Sequence, residues 1–193
     1  MKNSSDLKRL IAKPFELLLE MERRARSAVA DNPQGSAEDT EHVGIGFRLG
    51  DEQFLVSREE VREVLTVPTG VARVPGAKHW LRGLANIRGQ LLPLIDMSNF
   101  FGGGVAANSR HARILSVNHR DVPAGLLVDE VLGFRRFPES QRKQETPKTV
   151  IRCDRFLRGS FAQGDEIWPV LSLKSLVESN EFLNAADTTP TAS

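Results

Sequence analysis

From Val43 onward, apolar and polar residues alternate along the chain. Val43, Ile45, Phe47 and Leu49 are separated by Gly44, Gly46 and Arg48, the two-residue period of a strand with one buried face. Gly50-Asp51 is turn material, and residues 53–56 read as the returning strand. A short helix or strand follows over residues 59–65, then a loop over residues 66–78 marked by Pro68, Gly70, Pro75 and Gly76. Residues 83–88 and 91–95 read as a hairpin around a Gly89-Gln90 turn, with Pro93 placing its second strand at an edge or a bulge. Asp96 is positioned to cap a short helix over residues 97–101, which Gly102-Gly103-Gly104 ends. Further strands are expected at residues 112–117, 124–128, 131–137, 149–152, 156–162 and 166–170. Ser172 then caps a terminal helix with apolar positions Leu173, Leu176, Val177 and Phe182. Nine or ten short strands with turn signals between them predict an all-β barrel or sandwich, and no βαβ rhythm is present.

The flanks have a different pattern. Phe15, Leu18, Leu19, Met21 and Ala25 recur every three or four residues, which predicts an amphipathic helix over residues 7–30 with Pro14 in its first turn. Residues 31–42 are polar, turn-rich and without period, a linker. Residues 184–193 have the same character and read as a disordered tail. The expected organisation is a helical extension and linker over 1–42, one domain over 43–183 and the tail.

Composition narrows the function classes. A chain of 193 residues with 26 Lys+Arg against 25 Asp+Glu has no bulk charge to draw it to nucleic acid or anionic lipid. The single Cys153 excludes an internal disulfide framework and any CxxC zinc or redox site. The longest strongly apolar run near the start is Leu17-Leu18-Leu19, and the first residues lack a signal-peptide core, so a cytoplasmic protein without membrane insertion is expected. His42, His79, His111 and His119 have no neighbours at metal-ligand spacing and read as surface or loop residues. No nucleophile elbow, phosphate loop or dinucleotide fingerprint occurs, so no catalytic residue, metal or cofactor is expected. An OB-like nucleic-acid barrel would need aromatic platforms in a basic groove. Here residues 83–95 hold no aromatic, and Arg73, Lys78, Arg82 and Arg88 give only local positive charge.

One constellation stands out: Gly83-Leu84-Ala85-Asn86-Ile87-Arg88-Gly89-Gln90-Leu91-Leu92-Pro93-Leu94-Ile95-Asp96. It is a hairpin with Ala85 and Ile87 on one face, Leu84, Asn86 and Arg88 on the other, and an Arg at the lip of a Gly turn. Such an Arg performs no chemistry alone but pairs with a carboxylate of its own domain or of a partner. With Val61-Arg62-Glu63-Val64, Val74-Pro75 and Gly125-Leu126-Leu127-Val128-Asp129-Glu130-Val131, this stretch resembles the ordered signature of CheW-like domains across residues 43–183. These are the adaptor modules of bacterial chemosensory arrays. The leading segment Pro14–Arg24 and Val43-Gly44-Ile45-Gly46-Phe47 are most similar to the PilI-type branch, which serves the system controlling type IV pili and twitching motility.

The resemblance implies a mainly β fold of two small five-stranded SH3/OB-like barrels around a shared apolar core, with a short C-terminal helix. It implies a non-catalytic adaptor without cofactor, recruited to receptor arrays at the inner membrane. Its partners would be the cytoplasmic tip of a methyl-accepting receptor and the regulatory domain of a CheA-like histidine kinase. A flagellar chemotaxis adaptor is the alternative within the family. Carried over by position, the partner-binding residues are Val61, Glu63, Val64, Gly83, Asn86, Arg88 and Gly89. Val61 and Val64 fit core or groove alike, and Arg88 fits either an internal pair with Glu63 or a direct partner contact. Asp96 reads as a helix cap and Asp129 as an acceptor for loop N–H groups.

Overall fold

The computed structural model describes residues 41–104 and 109–185. The helix expected over residues 7–30 lies outside them. The strands are β1 (Glu41–Leu49), β2 (Glu52–Ser57), β3 (Val61–Thr66), β4 (Val71–Ala72), β5 (Leu81–Ile87), β6 (Gln90–Asp96), β7 (Arg113–Val117), β8 (Gly125–Val128), β9 (Glu130–Pro138), β10 (Leu157–Gln163) and β11 (Glu166–Leu171). The helices are α1 (Met97–Phe100), α2 (Leu173–Val177) and α3 (Asn180–Leu183). They form a five-stranded sheet in the order β10-β11-β2-β1-β9 and a six-stranded sheet in the order β3-β7-β8-β6-β5-β4. The second sheet exceeds the expected five strands by the two-residue β4, hidden in a Pro- and Gly-rich stretch too short to show a period.

Both sheets curl until distant strands meet. At the two ends of the five-stranded order, Phe137 on β9 and Phe161 on β10 stack with centroids 4.8 Å apart. In the other sheet, the β5–β6 tip returns to the edge strand β3, where Arg88 Nη1 lies 2.8 Å from Glu63 Oε2. Each curl encloses its own apolar cluster: Leu55, Phe137, Phe161, Trp168 and Val170 in one, Ala85, Leu94, Ala112, Ile114 and Leu127 in the other. The opposite faces build one large shared core, with Ile45, Phe47 and Leu49 of β1, Leu115 and Val117 of β7, Leu126 and Val128 of β8, and Leu173, Leu176 and Val177 of α2. On β1 the alternation therefore serves two interiors. Gly44 and Gly46 leave the space that Leu55 and Trp168 fill, since a Cβ there would sit 2.6 Å from the Leu55 side chain and 2.9 Å from the indole.

Several local expectations change. β1 starts at Glu41, inside the expected linker, because Glu41 and His42 pair with Pro138 and Phe137. The ambiguous segment over residues 59–65 resolves into a 3-10 turn, Arg58–Glu60, followed by β3. Pro93 lies opposite Leu84 on a strand that is internal to the sheet, but the pairing of β6 with β8 begins only at Leu94, so the missing N–H faces a position with one neighbour. Residues 149–152 are not a strand. The Val150 and Ile151 N–H groups donate to the Glu52 carboxylate at 2.9 and 3.2 Å, while Ile151 is buried and Val150 is 90% exposed. The terminal helix is two short ones, because Ser179 caps α3 by accepting from Phe182 N–H. Ala185, two residues into the expected tail, is tied to the domain: its carbonyl accepts from Lys78 N–H at 2.8 Å.

The start of α2 is held from far away in sequence. Glu60 accepts from Leu173 N–H at 2.6 Å and from the Ser172 hydroxyl at 3.1 Å, while Ser172 Oγ accepts from Ser175 N–H. A carboxylate on otherwise unpaired helix N–H groups is a charge-assisted cap. Glu60→Ala is expected to lower the unfolding free energy by about 1–2 kcal/mol in urea titration, with an unchanged denaturant slope.

His42 is not the surface histidine expected. It sits largely buried on β1, its side chain 10% exposed, stacked on Phe161 at 5.0 Å, with Arg142 Nη2 donating toward Nδ1 at 3.0 Å. Burial, and then the Arg142 charge, hold its pKa below the ordinary 6.5, against the weaker opposing pull of Glu139. The native state thus binds this proton less readily than the unfolded chain does. The stability it protects is whole above pH 6.5 and falls as pH drops through that value toward the lower native one. The unfolding midpoint should decline over that window, and His42→Phe should flatten the decline.

Candidate functional site

The hairpin formed by β5 and β6 turns through Arg88 and Gly89, with φ of 52° and 85°, and Ile87 and Gln90 as its flanking pair. The expected Gly89-Gln90 turn is therefore shifted by one residue. Two successive left-handed residues make the turn whose twist matches that of the strands. Asn86 closes it by accepting from Gly89 N–H at 2.8 Å. Arg88 is the one non-glycine residue with positive φ among the described residues.

This position carries a cost. A left-handed conformation costs a non-glycine residue about 1–2 kcal/mol. The ion pair to Glu63 does not recover it: Arg88's side chain is 75% exposed and Glu63's 29%, and a pair this open contributes about 0.2–1 kcal/mol. Asn or Gly would satisfy the turn better. The fold alone gives no reason for Arg at this position, and unexplained local strain of this kind concentrates at functional sites.

The other candidates divide. On β3, a bulge between Val61 and Glu63 changes the facing of the strand. Val61 before it is buried in the shared core, whereas Glu63 is half-buried beside Arg88 and Val64 is 41% exposed. Gly83 lies toward the far end of β5, with φ of 138°, where a Cβ would meet the Ala72 carbonyl oxygen at 2.2 Å. It lets β4 pair closely with β5. The structure thus brings Glu63, Asn86, Arg88 and Gly89 to one tip, leaves Val64 as open apolar surface, and assigns Val61 and Gly83 to support.

Asp96 is fully buried and caps α1 by accepting from Asn99 N–H at 3.0 Å. Asp129 accepts from Gly50 N–H at 2.7 Å. Both match their expected roles. Cys153 is buried, and burial pushes its thiol up to about 11, which leaves it protonated. Among the described residues no three His, Cys, Asp or Glu side chains converge in a metal-holding group, and no helix is long and apolar enough to cross a membrane.

Residues 43–181 match the CheW-like domain. The chain belongs to that family. The matched span of this CheW-like domain runs from β1 into α3 and contains both sheets and the Arg88 turn. Among relatives, Protein PilI of Pseudomonas aeruginosa is 36% identical over 173 residues, covering 90% of this chain and 96% of that one. Chemotaxis protein CheW of Helicobacter pylori is 28% identical, covering 83% and 96%. The crystal structure of the scaffolding protein TtCheW from Thermoanaerobacter tengcongensis aligns with a TM-score of 0.64 at 26% identity, covering 77% of this chain and 95% of that one.

Two features escape the sequence reading. Exposed Leu91, opposite Asn86 on the hairpin, and exposed Val74 interrupt no period and give no signal. The second is a cleft of about 900 Å³ toward the other end of the six-stranded sheet, which none of the seven candidates lines.

Proposed function

We propose that this chain is a non-catalytic coupling adaptor. It holds the cytoplasmic tip of a methyl-accepting chemoreceptor and docks on the regulatory domain of a CheA-like histidine kinase, in arrays at the inner membrane. Membership of the CheW-like family supports the reading, and the strained Arg88 turn is the observation that carries it to particular residues. Glu63, Val64, Asn86, Arg88 and Gly89 form the partner-contacting tip, with Val61 and Gly83 holding it in place. Arg88 offers its guanidinium edge to a carboxylate or carbonyl of the partner while Glu63 fixes its direction.

Coupling demands more than binding. The adaptor must favour one signalling state of the receptor–kinase pair over another, because equal affinity for both shifts nothing. Array packing adds avidity to each weak contact.

The similarity to PilI supports assignment to the type IV pilus system. The similarity to chemotaxis CheW proteins supports a second reading, a flagellar adaptor. The test is capture of the purified receptor tip and kinase regulatory domain by the full chain. Both should be retained, and retention of neither refutes the proposal. Deletion of the gene should abolish twitching and spare swimming. The reverse result selects the flagellar reading.

A further inference from the structure

The cleft of about 900 Å³ lies on the six-stranded sheet away from the Arg88 tip. It is lined at Leu81 and Arg82, where β5 begins, whereas Arg88 follows its end; the six residue steps from Arg82 to Arg88 extend about 20 Å. Its apolar wall includes the aliphatic Val71, Leu94 and Leu127, and its cations are Arg73, Lys78, Arg82 and Arg110. Among the described residues no Asp or Glu lines it. Arg82 faces the buried Asp96 at 3.8 Å. Among the described residues, Arg73, Lys78 and Arg110 form no ion pair, so these residues leave their charge uncompensated.

The segment that carries Lys78 is firmly placed. Lys78 N–H donates to Ala185, Leu81 N–H donates to Lys78, and Asn99 Nδ2 donates to the His79 carbonyl. Next to them, Trp80 is buried against Phe100 and Phe182, with centroids 5.1 and 6.1 Å away. A cation set of one sign on a fixed backbone beside an aliphatic wall is complementary to carboxylates flanking aliphatic side chains.

We propose that this cleft is a second docking site, which takes an acidic segment of a partner protein bearing Leu, Ile or Val between its carboxylates. Nucleic acid fits less well: among the described residues no Phe or Trp lines the cleft for base stacking, the His79 imidazole being its one aromatic ring, and the whole chain carries a net charge of only +1.

The test is selection of a displayed random dodecapeptide library on the full chain, with counter-selection on the R73E/K78E/R110E variant. Enriched peptides should be rich in Asp and Glu with aliphatic residues between. Synthesised, they should bind the parent at least about tenfold more tightly than the variant, and more weakly as salt is raised. Arg88→Asn should leave their binding unchanged, which separates this site from the coupling tip. The R73Q/K78Q/R110Q variant should also weaken binding, and an unchanged thermal midpoint shows that its fold is intact. Absence of enrichment over the variant, or enrichment without acidic bias, overturns the proposal. So does displacement of the peptide by inorganic phosphate beyond that by chloride at equal ionic strength, which marks a small-anion site, or tighter binding of an oligothymidylate.

Discussion

Arg88→Asn is expected to leave the protein at least as stable as the parent while reducing capture of the receptor tip by about tenfold or more. Stability and coupling should move apart because they draw on different properties of the residue. At a φ of 52°, Asn relieves the left-handed strain that Arg bears, a gain of the order of 1 kcal/mol. The lost pair to Glu63 offsets part of it, by about 0.2–1 kcal/mol for a pair in which Arg88 is 75% exposed. What disappears is a planar, permanently charged donor at the hairpin tip, which Asn cannot replace. Kinase-domain capture should persist where the tip serves the receptor alone, and a parallel loss places both partners on it. The measurements are a thermal melt and capture of each partner alone. A midpoint several degrees below the parent's assigns Arg88 to the fold, and undiminished receptor capture removes it from the site.

Gly83→Val is the opposite experiment, with its largest effect on stability. The new Cβ would lie 2.2 Å from the Ala72 carbonyl oxygen, a backbone atom that cannot rotate away, at a φ of 138°. Strain and clash together should cost about 3 kcal/mol or more in urea unfolding, with β4 detached from β5. Gly89→Ala is the matched control. Its φ of 85° is also unfavourable, but nothing lies within 4 Å of the added methyl group, so only the conformational strain, about 1–2 kcal/mol, should appear. Equal losses at the two positions would contradict the close approach of β4.

These contrasts show what kind of information the sequence holds. The caps at Asp96 and Ser172 were readable because a polar oxygen three residues before an unpaired N–H is a local event. The alternation of β1 was readable because its faces differ in hydrophobicity. Residues 149–152 misled for the same reason: buried Ile151 beside exposed Val150 mimics a strand, although their N–H groups are satisfied by Glu52, about a hundred positions away in sequence. The turn at Arg88 was displaced because Gly89 marks the hairpin, whereas the preceding residue's unusual conformation depends on strand register. His42 looked like linker until β9 paired with it. The cleft was invisible as a unit because Arg73, Lys78 and Arg110 come to line one space only after the six-stranded sheet has formed.

The order of the five-stranded sheet also bears on how the chain comes into being. β1 and β2 pair with each other early, but their other neighbours are β9 and β11, and Val170 meets Leu55 only near the end of the chain. As the polypeptide emerges from the ribosome, the first hairpin must wait for its outer edges to pair, the β1 edge until β9 is made and the β2 edge until β11, near the end of synthesis. Closing such long loops makes folding slow and late, and leaves the nascent chain dependent on protection from edge-to-edge association.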